Sequence, residues 1–141
     1  MVNIKRILIW IASILLGAIA NSLVLQGGTK LIPPPAGVKF DTAENLAAAM
    51  DKLSPEHFIS PFLAHAIGTL VSAFLLTYFL NATKNTAALI AGFIFFCGGA
   101  YMVSILPSPL WFDVLDLTLA YFPTALLGYW LGKKIQKPRD F

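Results

Sequence analysis

Five polar side chains interrupt stretches of sequence otherwise suited to hydrocarbon: Asn21, His65, Tyr101, Ser104 and Asp116. Asp116 is the costliest. It lies inside "WFDVLDLTLAYFPTALLGYW", residues 111–130. An ionised carboxylate at the middle of a membrane helix is opposed by up to about 3 kcal/mol on insertion scales. A histidine offsets that cost, by ion pairing when protonated or by a hydrogen bond when neutral. An amide such as Asn21 can donate and accept at once. We therefore expect an Asp116–His65 contact with Asn21 beside it, and Tyr101 and Ser104 at the same depth. Two roles are open to such a cluster. It is interhelical glue, at about 0.6 kcal/mol per hydrogen bond, or a site that binds or conducts a small ligand, ion or proton. Ionisable groups inside membranes are functional candidates by default.

Other chemistries find less support. His57 and His65 are eight residues apart with Pro61 between them. They lack the i, i+4 spacing of a shared helical face, so no metal site is expected. The single cysteine, Cys97, rules out an internal disulfide and any CxxC motif. It sits among phenylalanines with no base nearby and reads as packing. Ser104 lacks the context of a nucleophile elbow. Neither a Gly-rich phosphate loop nor a haem-binding histidine pair is present, so no cofactor is expected. Asp113 reads as an N-cap whose charge suits the positive end of the last helix.

The elements that must position these residues follow from composition. The chain has 141 residues, 57% hydrophobic and only 12% charged, where a soluble domain carries about 25% charge. Four runs, 7–25, 62–80, 87–106 and 114–132, reach the roughly 20 residues needed to cross about 30 Å of hydrocarbon. "NATKNT" (81–86) and "PSPLWFD" (107–113) separate the later runs and make successive helices antiparallel neighbours. The first run also resembles a signal peptide with Ala18-Ile19-Ala20 as its cleavage site. Its apolar continuation to residue 25 favours a retained helix. The expected fold is all-α: one membrane domain over 1–141, a transmembrane four-helix bundle with a structured extracytoplasmic loop.

Basic residues near the helix ends set orientation. Lys5, Arg6, Lys84, Lys133, Lys134, Lys137 and Arg139 fall on one side, seven of the ten in the chain. That side should be cytoplasmic, with both termini, in the inner (plasma) membrane. The outer segment, 26–61, opens with a flexible Gly27-Gly28 pair and continues through Pro33–Pro35, which favour polyproline II. A short helix over Thr42–Leu53 follows, with Asp41 as cap and Glu44 reaching back. Leu46, Met50 and Leu53 share its apolar face, so it should dock across the bundle's mouth. A bend is expected at Pro61.

Membrane helices associate through small residues and hydrogen bonds. Stripes at four-residue spacing occur at Ser13, Gly17 and Asn21, at Ser60, Ala64, Gly68 and Ser72, and at Ala120, Thr124, Gly128 and Gly132. The last stripe, extended one turn, meets Asp116 and turns it towards protein. The lipid bilayer is the expected partner. The stripes also suit a homo-oligomer or a membrane-protein partner, which would make the chain an accessory or scaffold subunit. An enzyme acting on a lipid or quinone is a third reading. Nucleic acid is not expected, because the basic residues form no stripe interleaved with aromatics. "LIPPPAG" (31–37), the acidic-start helix after it and "LAHAIGTL" (63–70) resemble a type of small bacterial four-helix inner-membrane protein. That resemblance implies no activity. A small multidrug transporter would want an embedded glutamate in the first span, and thiol-dependent quinone reductases a cysteine pair; the sequence has neither.

Overall fold

A computed structural model describes residues 3–136. Lys137 and Arg139, which enter the charge bias, lie outside the described residues. Six α-helices follow in order: α1 (Ile4–Leu31), α2 (Ala43–Ala49), α3 (Ile59–Leu80), α4 (Thr86–Ile105), α5 (Leu110–Leu119) and α6 (Phe122–Ile135). Short 3-10 turns at Met50–Lys52 and Pro55–Phe58 join α2 to α3. The helices build four segments long and apolar enough to cross a membrane, α5 and α6 being two halves of the last. Leu8, Ile11, Leu15, Ile19 and Leu23 of α1 and Phe93 and Trp130 elsewhere lie exposed around the bundle. So much outward apolar surface needs hydrocarbon around it, and the chain is an all-α, multi-pass integral membrane protein.

α3 is the hub. Its buried residues are Ser60, Ala64, Gly68, Thr69, Ser72, Ala73, Leu76 and Thr77, small or compact side chains that bring neighbouring backbones close. α1 packs on one flank, antiparallel, with Gly17 opposite Gly68 and Ser72, and Gly28 against Ser60. The Ser72 hydroxyl donates to the Ser13 carbonyl across that seam, 2.9 Å. On the other flank α6 runs parallel to α3, with Gly128 over Ala73 and Gly132 over Thr77. α4 closes the group, its Gly92 against Ala125. α3 itself ends at Asn81, whose left-handed φ of 51° turns the chain.

Several boundaries differ from the sequence expectations. α1 does not stop at residue 25: it runs through the Gly27-Gly28 pair to Leu31. Gly28 is held in helix because its bare backbone seats against Ser60. The flexible attachment expected there is absent. Thr42, not Asp41, caps α2, its hydroxyl accepting from the Asn45 backbone at 3.1 Å, while Asp41 accepts from the Asn45 amide. Pro61 falls within the first turn of α3, where a missing N–H costs no helical bond. Asp113 is not an N-cap. Pro109 occupies that position and the helix starts at Leu110, leaving Asp113 inside the first turn as acceptor of the Ser108 hydroxyl.

The largest departure is the break between α5 and α6. Pro123 has no N–H to give the Leu119 carbonyl, so the α-helical ladder cannot continue through it. Ala120 and Tyr121 form a turn, with Tyr121 at φ −113°, ψ −73°.

These contacts make the glycines unequal. A Cβ on Gly128 would lie 3.0 Å from the Ala73 Cβ and press on the α3 backbone, whereas one on Gly98 meets nothing within 4 Å. Gly128→Ala should cost about 1–3 kcal/mol by overpacking and lower the melting temperature in detergent. Gly98→Ala should leave it unchanged or raise it. Equal effects of the two would refute the α3–α6 seam.

Candidate functional site

The break has a consequence at Asp116. In a continuous helix, residues five apart point about 140° away from each other. The turn at Ala120–Tyr121 removes that separation. The Tyr121 hydroxyl folds back and donates to Asp116 Oδ2 at 2.9 Å. His65, on α3, supplies the second partner: its Nδ1 lies 2.9 Å from both carboxylate oxygens. Tyr121 and His65 also touch, hydroxyl to Nδ1, at 3.0 Å, and their rings stack at 26°. The Asp116 side chain is 2% exposed and that of His65 23%.

A carboxylate only accepts, so with Asp116 ionised both neighbours present protons to it: Nδ1–H from His65 and O–H from Tyr121. For a neutral imidazole this puts the proton on Nδ1. Nε2, the other ring nitrogen, has no partner among the described residues, and in the neutral ring it is a bare acceptor. Gly99 of α4 makes room for the third member, because a Cβ there would collide with the Tyr121 hydroxyl.

Tyr121 joins the cluster without being among the five residues that the sequence points to. The signal was Pro123, which forecasts a broken helix and hence a shifted side-chain phase just before it. The other expected members fall elsewhere. Asn21 makes no hydrogen bond to His65 or Asp116 among the described residues. It packs on α3, where a Cβ at Gly68 would meet its own Cβ at 2.8 Å. Tyr101 is 63% exposed. Ser104 is also exposed, and its hydroxyl bonds back to the Tyr101 carbonyl of its own helix. The inward face of α4 is instead Gly99, Met102, Val103 and Leu106, spaced i, i+3, i+4, i+7. Tyr101 and Ser104 are rotated off that face.

Above the triad lies a cavity of about 190 Å³. Its floor is His65 and Asp116, its walls include Val103 and Phe112, and its roof is Leu46, Met50 and Leu53. The roof residues join Phe58, Phe62, Leu106 and Phe112 in one apolar cluster. α2 therefore lies across the mouth of the bundle. It is tied down by His57, whose Nδ1 meets the Ser54 hydroxyl at 2.9 Å and whose Nε2 meets the Pro33 carbonyl at 3.2 Å. No three His, Cys, Asp or Glu side chains converge as a metal site among the described residues.

Below the triad the bundle closes. Thr69, four residues after His65 on α3, is fully buried, and its hydroxyl has no partner. Beyond it the Ala73, Ala88 and Ala125 side chains fill the centre. The cavity thus lies at the end of the bundle bearing the 32–58 segment, and packing closes the other end.

No family model, curated protein or solved structure matches the chain. Function must be argued from these residues.

Two outcomes check the geometry. Asp116→Asn places an NH2 against two donors, and leaving buried donors unmatched costs about 1–3 kcal/mol. Tyr121→Phe removes one bond of about 0.6 kcal/mol. Asp116→Asn should therefore lower the melting temperature more, and the pair should be non-additive in a double-mutant cycle. Leu46→Asp combined with Met50→Asp should unseat the roof and speed carbethoxylation of His65. An unchanged rate would place α2 on lipid rather than over the cavity.

Proposed function

We propose that this protein binds a small molecule in the cavity between α2 and the His65–Asp116–Tyr121 triad. The observation that carries the reading is His65, its Nε2 unpartnered among the described residues, at the floor of a mostly apolar space with Asp113 and Asp116 among its few polar lining residues. Binding sites have this make-up: mostly hydrophobic walls with a few placed polar groups that fix orientation. Asp116 and Tyr121 act as positioning residues. They hold the ring and its tautomer so that one acceptor faces the ligand, as outer-shell partners do for working histidines.

The closed packing below Tyr121 favours binding over conduction. A proton or ion passing His65 would next meet Thr69, then the packed Ala73, Ala88 and Ala125. There the Ser72 and Thr77 hydroxyls are already engaged with backbone carbonyls, and no further ionisable side chain is buried among the described residues. The seven-to-three bias of basic residues supports an extracytoplasmic position for the cavity in an inner membrane, with the start of α1 and the end of α6 in the cytoplasm.

Val103→Trp fills the cavity from α4 without touching the triad, and native mass spectrometry from mild detergent reads the result. The wild type should carry a non-covalent small-molecule adduct, retained from the membrane or from added decanol, that the variant lacks at equal thermal stability. Equal adducts in both would sink the reading. Thr69→Val removes an unpartnered hydroxyl and should leave the adduct intact while raising the melting temperature. Loss of function in that variant would restore a conducting role.

A further inference from the structure

The cavity does not end at its aromatic wall. Phe58 and Phe112 line it on one side, and the same two rings line a second space on the outer surface of the bundle. That space is an open groove of about 410 Å³ between α3 and α5, floored by Ile59, Leu63, Leu115 and Leu119 and edged by Trp111. The groove faces the hydrocarbon. Ile59 and Leu119 are each 50% exposed and Trp111 49%, on helices long and apolar enough to span a membrane. The two spaces are separated by one layer of rings, Phe58 and Phe112, whose centroids are 4.8 Å apart. Trp111 meets the edge of Phe58 at 5.4 Å. The layer is held by these aromatic contacts, worth about 0.5–1.5 kcal/mol each, and by the apolar cluster of Met50, Leu53 and Leu106 behind it; it is the one wall that both spaces share.

Charge narrows what can enter. Asp113 and Asp116 line the cavity, and no Lys or Arg does so among the described residues. One Asp113 oxygen accepts from Ser108; the other has no partner among the described residues. With His65 Nε2, the cavity offers two acceptors. An anionic head such as a carboxylate or phosphate meets like charge and, with His65 neutral, no free donor, because Ser108 donates to Asp113 and His57 is engaged with Ser54 and Pro33. A hydroxyl or ammonium head finds two partners.

From these observations we infer that the α3–α5 groove and the cavity are one site for a membrane-dissolved, single-chain amphiphile. Its hydrogen-bond-donating, uncharged or cationic head sits on His65 and Asp113, and its apolar tail lies in the groove past Phe58 and Phe112. The inference rests on the cavity being a binding site and adds the chemical class of ligand and its lateral route from the bilayer.

Trp111 reports on the tail directly. With Trp10→Phe and Trp130→Phe, it is the remaining tryptophan of three. Protein in phosphatidylcholine vesicles is titrated with 12-bromododecan-1-ol, 12-bromododecylamine or 12-bromododecanoate, the bromine quenching tryptophan on contact. Saturable quenching is expected with the alcohol and the amine but not with the carboxylate. Val103→Trp reintroduces a tryptophan, so Val103→Phe serves as the cavity-filling variant here and should abolish the saturable part. Leu63→Phe with Leu115→Phe, which fills the groove, should weaken it, and Phe58→Ala should speed its onset. Equal, unsaturable quenching by all three probes would mean that the groove is merely solvated by lipid, overturning the inference. If the alcohol forms an adduct that Val103→Phe abolishes, yet Trp111 is not quenched, the lateral tail site is wrong while the cavity reading stands. Absence of both signals would overturn both.

Discussion

A carboxylate buried among apolar helices must be matched by donors, and the upper half of this bundle is arranged around that requirement. Asp116 is 2% exposed in a segment long and apolar enough to cross a membrane. Leaving such a group unmatched would cost more than a typical interhelical hydrogen bond returns. Two donors answer it from different directions. His65 comes from α3 and Tyr121 from beyond the break in its own span. The break depends on Pro123, and the room for Tyr121 depends on Gly99. One polar side chain therefore accounts for a proline, a glycine and the course of the last span.

The lower half follows another rule. There the helices meet through alanine, glycine, serine and threonine along α3, with hydroxyls returned to backbone carbonyls, as at Ser72 and Thr77. Close backbone approach replaces the hydrophobic drive that lipid removes. The division has a functional side. A dry, tightly packed lower half acts as a rigid base, while the upper half is wider and roofed by a short helix. Small clusters of side chains, Met50, Phe58 and Phe112 with their neighbours, hold that roof. Elements with few buried contacts open at the lowest free-energy cost, so the proposed binding would exchange ligand at this end.

Much of the architecture is legible in the sequence, because hydrocarbon thickness turns apolar run length into helix count. The four spans and the all-α class follow from that alone. Meeting of His65 with Asp116 is legible too, from depth along antiparallel helices and from the cost of an unpaired carboxylate. What fails is rotational phase. α4 is apolar on every side, so nothing in "FIFFCGGAYMVSIL" says which face turns inward, and Tyr101 and Ser104 end up outside. Asn21 lies at a plausible depth but on a seam packed against Gly68. Tyr121 escapes notice because a straight helix would point it away from Asp116; only the weight given to Pro123 could have corrected that. Gly27 and Gly28 look like a hinge in isolation, yet both are helical and Gly28 is seated against Ser60, a tertiary effect that local propensity does not record.

The proposed binding site turns on one atom, Nε2 of His65, left without a partner among the described residues while Asp116 and Tyr121 engage Nδ1. The most direct measurement is solid-state NMR of the ¹⁵N-histidine-labelled protein in bilayers, with His57→Gln leaving His65 as the remaining histidine of two. The account predicts a proton on Nδ1, a bare Nε2, and a shift of the Nε2 resonance alone when dodecanol is added to the bilayer. A protonated Nε2 with a bare Nδ1, indifferent to the alcohol, would contradict it.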